Sequence, residues 1–263
     1  MKGNKKKWTA SSVVLLLVGI AMVAVALGML IPTLLDYKKS NDTYNALVAD
    51  YVSVDIDTEA IKTDAALAAN WWFEEVRIDL EELQEINSDI IGWIRFDNIE
   101  KINYPILYSG DDETYLRTDI YGNSTTAGCI FMEGLNNPDF MDSHTIIYGH
   151  NMKNMSMFGS LKKYKTDGFY EENQYFTIYT NDMAYRYQIF SYRDVSEISS
   201  VYSVGFGAGE QFQDFVNDMI RQSYMDTDVS VTGTDKVVTL STCSSEGNRF
   251  EVHAVMVDAK PYE

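Results

Sequence analysis

The sequence predicts a mainly β protein, an eight-stranded closed or nearly closed barrel that follows an N-terminal membrane-spanning helix. Eight short segments rich in β-branched and aromatic residues alternate with turn residues, and few helical segments interrupt them. One uncharged apolar run lies near the N-terminus. With only 4 prolines and 16 glycines in 263 residues, the composition excludes collagen-like and low-complexity chains.

The apolar run covers residues 13–31 and is free of charge. A helix needs about 20 apolar residues to cross a bilayer. Lysines 2, 5, 6 and 7 precede the run, so the positive-inside rule places the N-terminus in the cytoplasm and the remainder outside. A cleaved signal peptide is the alternative, but its apolar core is usually about 7–15 residues long, and residues 29–32 are a poor cleavage site. We expect a cytoplasmic tail at 1–7 and an uncleaved single-pass anchor in the cell membrane at 8–35.

Helical segments are few beyond the anchor. Residues 36–78 are polar and tolerate helix, which indicates a stalk or an N-terminal helical region, and the main domain is expected at 79–263. Residues 79–86 place apolar side chains on one side of a helix, and residues 155–164 are a second helical segment. A third helix, at 210–224, has an apolar stripe that favours packing against a barrel: Phe212, Phe215, Val216, Met219 and Ile220.

The predicted strands have the composition of short barrel strands, bounded by Asn, Asp, Gly and Pro. The helix at 210–224 separates the sixth strand from the seventh. The strands cover residues 90–96, 102–107, 128–132, 145–148, 175–179, 184–192, 236–242 and 249–257.

Charge and residue counts exclude several classes of function. The formal net charge is −18, and most of the chain is more acidic still because four of its 21 basic residues lie in the first seven positions. Such a surface repels a phosphate backbone, so nucleic-acid binding is not expected. Three histidines without clustered Cys, Asp or Glu argue against zinc, and nothing indicates another metal or an organic cofactor.

Cysteine chemistry is indicated by where the two cysteines lie. Cys243 ends a predicted strand and precedes a polar turn, which is typical of an exposed thiol. Cys129 lies inside a predicted strand, and we expect it to be a small buried hydrophobic residue. Outside the cell the two thiols would pair unless one stays free for chemistry.

Arg249 begins the last strand, six residues after Cys243. If the chain forms a hairpin here, the guanidinium lies beside the thiol, where it can favour the thiolate and bind an oxyanion. An ion pair of Arg249 with Glu251, on the same face of the strand, is the alternative, and both can hold.

One of the three histidines is placed like Cys243. His150 follows the end of an apolar strand, whereas His144 opens that strand and His253 lies in the middle of another. A histidine at a strand end, with an exposed cysteine and an arginine elsewhere, is the arrangement that nucleophilic thiol catalysis requires.

At these residues the sequence resembles the sortases, the cysteine transpeptidases of Gram-positive cell surfaces. Residues 239–243 (TLSTC) match the TLxTC motif of that family, and Arg249 matches its downstream arginine. The resemblance covers about residues 80–258 and is closest to class B, through four further segments: 145–152 (TIIYGHNM), 156–159 (SMFG), 128–132 (GCIFM) and 91–94 (IGWI).

The resemblance implies a sortase-type barrel and a catalytic set of Cys243, His150 and Arg249. Its implied substrates are secreted proteins with a C-terminal sorting motif, cleaved through a thioester and transferred to an amine of a peptidoglycan precursor or a pilin lysine. It also implies that Leu116, Tyr148, Ser241 and Tyr202 contact the substrate, although packing roles are nearly as well supported for Leu116 and Tyr148.

The sequence departs from the class B pattern near the thiol. The interval from Cys243 to Arg249 is shorter than in many members, and Ser245 stands where an acid would be needed for a catalytic carboxylate. Two alternatives stay open: a membrane-anchored peptide-binding module without turnover, and a hydrolytic cysteine protease.

Overall fold

A closed eight-stranded barrel forms the body of the protein, as the sequence predicts. The computed structural model describes residues 9–243 and 247–261, so the predicted tail at 1–7 lies outside the described residues. The barrel strands are β3 (Ile90–Phe96), β4 (Asn103–Leu107), β5 (Ile130–Met132), β6 (His144–Tyr148), β7 (Tyr175–Tyr179), β8 (Met183–Ser196), β9 (Val237–Cys243) and β10 (Asn248–Pro261).

The strands close in the order β10-β8-β7-β3-β4-β5-β6-β9. Two of the pairings are parallel, β4 with β5 and β6 with β9, and the others are antiparallel. All eight predicted strands are present. β8 and β10 are longer than predicted because they pair with each other over most of their length, beyond the apolar segments that the sequence marks.

Two hydrophobic clusters hold the fold together. The larger fills the barrel with fully buried aromatic side chains, among them Trp93, Phe176 and Tyr187. The smaller lies outside the barrel, where α6 (Glu210–Arg221) covers β8, β9 and β10 with the buried Phe212, Val216 and Met219. The apolar stripe of this helix therefore packs against the barrel, as predicted.

The helix predicted at 155–164 is shorter and of another type. A 3₁₀ helix spans Phe158–Lys165. Met155 and Met157 have φ angles of 68° and 51°, which a right-handed helix does not allow. The Met157 N–H instead donates to the Tyr104 hydroxyl at 3.0 Å.

The N-terminal region is one long helix followed by short elements. α1 (Ala10–Tyr51) runs for 42 residues, and its first part is long and apolar enough to cross a membrane. A two-stranded sheet that the sequence did not predict, β1 (Val52–Val54) with β2 (Val76–Ile78), follows. Between and after these strands lie α2 (Thr58–Thr63), α3 (Ala65–Glu74) and α4 (Leu80–Ile86), and α5 (Phe169–Glu172) lies between β6 and β7.

The second half of α1 is part of the barrel's packing. Tyr44 and Leu47 are buried in the main cluster, and the Tyr44 hydroxyl donates to the Gly128 carbonyl at 2.9 Å. Asp36, close to the end of the apolar run, accepts a hydrogen bond from the Thr126 N–H at 3.0 Å. The helix is therefore joined to the domain from Asp36 onward.

Replacing Leu47 by Ala tests this packing. Leu47 is 2% exposed, and truncating a buried leucine to alanine lowers the unfolding free energy by about 2–5 kcal/mol. We expect a loss in that range in urea unfolding of the full chain in detergent. The control is Leu135→Ala, at a side chain that is 81% exposed, with a change within about 0.5 kcal/mol. Equal stability of the two variants would mean that α1 does not pack on the barrel.

Candidate active site

A groove of about 440 Å³ lies at one rim of the barrel, where β6 and β9 end and β10 begins. Among its lining residues are all six described side chains of the predicted site. The lining consists of Asp112, Leu116, Phe131, Glu133, Tyr148, Gly149, His150, Glu197, Tyr202, Ser241, Thr242 and Arg249. We refer to it below as the groove.

The pairing of strands brings the predicted catalytic positions to this rim. β6 and β9 are parallel neighbours, and Tyr148 pairs with Ser241. The Gly149 N–H continues this pairing beyond the end of β6 by donating to the Ser241 carbonyl, so His150 and Cys243, each two residues after the paired positions, reach the same level. β10 returns antiparallel to β9, and its register pairs Arg249 with Cys243.

One backbone contact orients the His150 ring, and close packing at Gly149 fixes the main chain before it. Its Nε2 lies 2.7 Å from the carbonyl oxygen of Leu116. Because a carbonyl can only accept, Nε2 carries the hydrogen, and in the neutral ring Nδ1 is the free base. The preceding Gly149 has no room for a side chain, since an added Cβ would lie 2.5 Å from Ile130 and 2.6 Å from the Phe158 ring.

The charge state of His150 is shifted towards neutral. Burial lowers the pKa of His150, and the positive charges of Arg117 and Arg249 lower it further, against the opposing hydrogen bond to Leu116. At neutral pH the ring is therefore a base without charge.

Arg249 points into the groove and has an acidic partner. Its Nη2 lies 3.3 Å from the Glu197 carboxylate, and the two side chains are 31% and 51% exposed. The ion pair is thus with Glu197 and not with Glu251, the alternative that the sequence suggested. Glu251 is fully buried, and its partners in register are Ser241 and Arg193.

The two cysteines occupy different surroundings. Cys243 is the last residue of β9, and its side chain, like Ser244, Ser245 and Glu246, lies outside what the structure describes. Cys129 lies immediately before β5 instead of within a strand. It is a free thiol, fully buried as predicted, and burial raises its pKa to about 12.

The four predicted substrate-contacting residues all line the groove. Leu116 is 41% exposed, and the half-buried Tyr148 stacks on Tyr202 with ring centroids 6.4 Å apart. The hydroxyls of Tyr202 and Ser241 are 3.0 Å apart and hydrogen-bonded. These residues give the groove an aromatic wall and a polar floor.

Three carboxylates in the groove were not predicted. The Tyr148 hydroxyl donates to Glu133 at 2.6 Å, and burial raises the pKa of Glu133. Asp112 lies near Glu133, and Glu197 lies beside Arg249. All three lie in loops, where the sequence has no periodicity that could indicate a groove. They come together only when the chain folds.

A chain of buried polar side chains supports the groove from behind. The Thr239 hydroxyl lies 2.7 Å from His144 Nε2 and 2.8 Å from His253 Nδ1, and His144 Nδ1 lies 2.8 Å from the Ser203 carbonyl. All three side chains are 0% exposed. Burial lowers the pKa of His144 to about 4 and that of His253 well below its usual value, so both rings are neutral.

The Ser203 carbonyl determines which atom donates in each hydrogen bond of this series. His144 Nδ1 must donate to that carbonyl, so the neutral His144 accepts from Thr239, and Thr239 accepts from His253 Nδ1. His253 Nε2 is then an unprotonated nitrogen, 3.7 Å from Glu251 Oε2. A proton on Glu251 makes this contact favourable, and burial raises the pKa of Glu251 to about 7.

Comparison with known proteins finds relatives that match most of the chain. The model of the Sortase family, a sortase domain, matches residues 94–261. Sortase B of Listeria monocytogenes is 34% identical over 204 residues, 78% of this chain and 82% of the relative. The structure of sortase B from Bacillus anthracis has a TM-score of 0.71 at 30% identity and covers 86% of this chain and 99% of its own. A sortase B–substrate complex from Staphylococcus aureus has a TM-score of 0.69 at 25% identity, covering 85% and 99%.

The buried polar chain predicts the pH dependence of stability. Glu251 binds a proton more tightly in the folded chain, at about 7 against 4.5, so its contribution is fully present below pH 4.5 and is lost as pH rises to about 7. His144 binds one less tightly, at about 4 against 6.5, so its contribution is present above pH 6.5 and is lost as pH falls to about 4. The pKa of His253 is lowered as well, so its contribution has the sign of that of His144, and between pH 4.5 and 6.5 the slope of Glu251 opposes those of the two histidines.

The variant Glu251→Gln removes the slope of Glu251 and leaves those of the histidines. As pH falls from 6.5 to 4.5, the unchanged protein gains the contribution of Glu251 and the variant does not. We therefore expect the unfolding free energy of the variant, relative to the unchanged protein, to fall by up to about 1.4 kcal/mol for each pH unit. Urea unfolding at several pH values measures this, with the exposed Glu85→Gln as the control. Parallel stability curves for Glu251→Gln and the unchanged protein would contradict the assignment of the proton to Glu251.

Proposed function

Because this chain belongs to the sortase family, as a sortase B homologue and a cysteine transpeptidase, we propose that Cys243, His150 and Arg249 are its catalytic residues. Its substrates are then secreted proteins with a C-terminal sorting motif, and its acceptor is an amine of a peptidoglycan precursor or a pilin lysine. The register that aligns Cys243 with Arg249 and brings both to the level of His150 carries the proposal.

The first step forms the thioester. The Cys243 thiol transfers its proton to Nδ1 of His150, the nitrogen that the contact with Leu116 leaves free. The thiolate attacks the carbonyl carbon at the scissile bond, and Arg249 stabilises the oxyanion. Collapse of this intermediate breaks the C–N bond, and the leaving amine takes the proton from His150 Nδ1.

The second step transfers the acyl group. The incoming amine attacks the thioester carbonyl, gives its proton to His150 Nδ1, and forms the new amide bond as the C–S bond breaks. His150 then returns this proton to the departing thiolate, which regenerates the Cys243 thiol and the neutral ring. The lowered pKa of His150 favours the neutral base that this step requires.

The remaining site residues support this assignment. Glu197 holds Arg249 within the groove before substrate binds, and the exposed pair costs little to separate. Cys129 is unsuited to be the nucleophile because its thiol is buried and its pKa is raised to about 12. Leu116, Tyr148, Tyr202 and Ser241 form the wall and floor against which the sorting peptide lies.

We assign the N-terminal part of α1 as a single-pass anchor at 8–35, with residues 1–7 in the cytoplasm and the domain at 79–263 outside the cell. Its length and apolar composition suit a membrane span, and the basic residues precede it. Confining the enzyme and its secreted substrates to one surface raises their effective concentration.

The variant Cys243→Ala tests the nucleophile. We expect it to form no covalent acyl-enzyme with sorting-motif peptides in mass spectrometry, while its circular dichroism spectrum is unchanged. Cys129→Ala is the matched control and retains the adduct, since that thiol is buried. An adduct formed by Cys243→Ala, or its loss in a folded Cys129→Ala, would refute the assignment.

Product analysis tests the reaction class. With a peptide library and candidate amines, we expect a ligated product that replaces the hydrolysis product as the amine concentration rises. Hydrolysis that no amine changes would indicate a protease, and binding without any cleavage would indicate a peptide-binding module.

A further inference from the structure

The loop at residues 117–126 lies where α1 leaves the proposed membrane span. The uncharged stretch from residue 13 to residue 35 rises about 34 Å at 1.5 Å per residue, close to the roughly 30 Å of a bilayer's hydrocarbon core. Asp36 is the first charged residue after it. The carboxylate of Asp36 accepts hydrogen bonds from the Thr126 N–H at 3.0 Å and the Thr125 hydroxyl at 3.3 Å.

The contact at Asp36 fixes the height of the loop above the membrane. α1 is assigned as one helix from Ala10 to Tyr51, with Pro32 inside it four residues before Asp36, so the contacts of Asp36 and not the helix alone set the height of the loop. Tyr44 and Leu47 are buried in the same cluster as the barrel interior. The 117–126 loop therefore lies at the depth of the first charged residue, which is the headgroup region.

The side chains that this region exposes suit lipid headgroups. Tyr121 is 56% exposed, and tyrosine is enriched at membrane interfaces. The exposed charges of the loop and of the neighbouring turn of α1 at 36–39 are basic: Arg117, Lys38 and Lys39. The acidic side chains there are engaged, since Asp119 is buried and accepts hydrogen bonds from Tyr121 and Asn123 within the loop, and Asp36 bonds to Thr125 and Thr126. Three exposed cations against these two carboxylates give the patch a net charge of +1, although the protein as a whole is acidic, and Arg117 is held in the patch by donating to the Thr126 carbonyl at 3.1 Å. An anionic lipid surface attracts such a patch and repels the rest of the acidic chain.

We propose that the 117–126 loop is a membrane-docking surface that binds anionic phospholipid headgroups through Arg117, Lys38, Lys39 and Tyr121. The inference rests on the proposed membrane span of α1 and deepens it. Leu116, which lines the groove and holds His150 through its carbonyl, immediately precedes the loop. The groove therefore lies beside the membrane surface, and a substrate held at that surface reaches it directly.

Depth measurements on the full chain test the docking surface. The chain is placed in nanodiscs of phosphatidylcholine and phosphatidylglycerol in the Cys243→Ala background, where the remaining Cys129 is buried. A nitroxide is attached in turn at Val23→Cys, Tyr121→Cys and Tyr224→Cys, and its collisions with oxygen and with a water-soluble nickel chelate give its depth.

Tyr224 is the matched control for Tyr121. Both tyrosines are 56% exposed. The Tyr224 N–H donates to the Tyr192 carbonyl in β8, which lies three strands around the barrel from β4, the strand that α1 contacts. We expect the label at 23 to lie in the hydrocarbon core and the label at 121 to lie at headgroup depth. The nickel chelate should collide with the label at 121 several-fold less often than with the label at 224.

The outcomes separate this inference from the anchor assignment. A label at 121 as open to nickel as the label at 224, with the label at 23 in the core, overturns the docking surface and leaves the anchor intact. A label at 23 exposed to water overturns both. A label at 121 that neither reagent reaches means that protein, such as a second copy of the chain, covers the loop, and this also overturns the proposal.

Discussion

The register between β6 and β9 is the constraint on which the site depends. Pairing of Tyr148 with Ser241 determines which residues follow at the rim, and the Gly149 N–H extends the ladder by donating to the Ser241 carbonyl at 3.1 Å. A slip by one residue would turn every side chain to the other face of the sheet. The buried Ile147 and Leu240, paired inside the barrel, oppose such a slip because it would expose them to solvent or bury their polar neighbours.

The two faces of the TLSTC segment in β9 have different roles, one in the barrel core and one in the polar contacts outside it. Leu240 belongs to the barrel core, whereas Thr239 and Ser241 alternate with it on the outer face beneath the segment that contains α6. Thr239 joins two buried histidines, and Ser241 bonds to the groove residue Tyr202. The motif therefore supplies the buried hydrogen bonds beneath the groove as well as the position of the thiol. Because these hydrogen bonds are buried, a change in the protonation of one group would leave a buried polar atom without a partner.

Strands and motifs could be predicted because their signals are local. Alternation and β-branched composition place all eight strands, and strand ends point to His150 and Cys243. The partner of Arg249 could not be predicted, since Glu197 comes from a loop 52 positions earlier in the chain and only the closure of the barrel brings it near. The helix at Phe158–Lys165 was placed three residues early because positive φ angles at methionine have no signal in composition. The protonation of Glu251 likewise depends on the direction of a hydrogen-bond chain that starts at the Ser203 carbonyl.

The N-terminal helix is connected to the catalytic histidine that we propose through one loop. Tyr44 of α1 donates to the Gly128 carbonyl, and its hydroxyl lies 3.4 Å from the Cys129 sulfur. The Cys129 N–H in turn donates to the Tyr115 carbonyl, next to the Leu116 carbonyl that orients His150. Gly128 has no space for a side chain, because an added Cβ would lie 2.6 Å from the carbonyls of both residues. A helix that served only as a tether would need none of these buried contacts. The same helix that carries the apolar run therefore also keeps the ring of His150 in the orientation that leaves Nδ1 free.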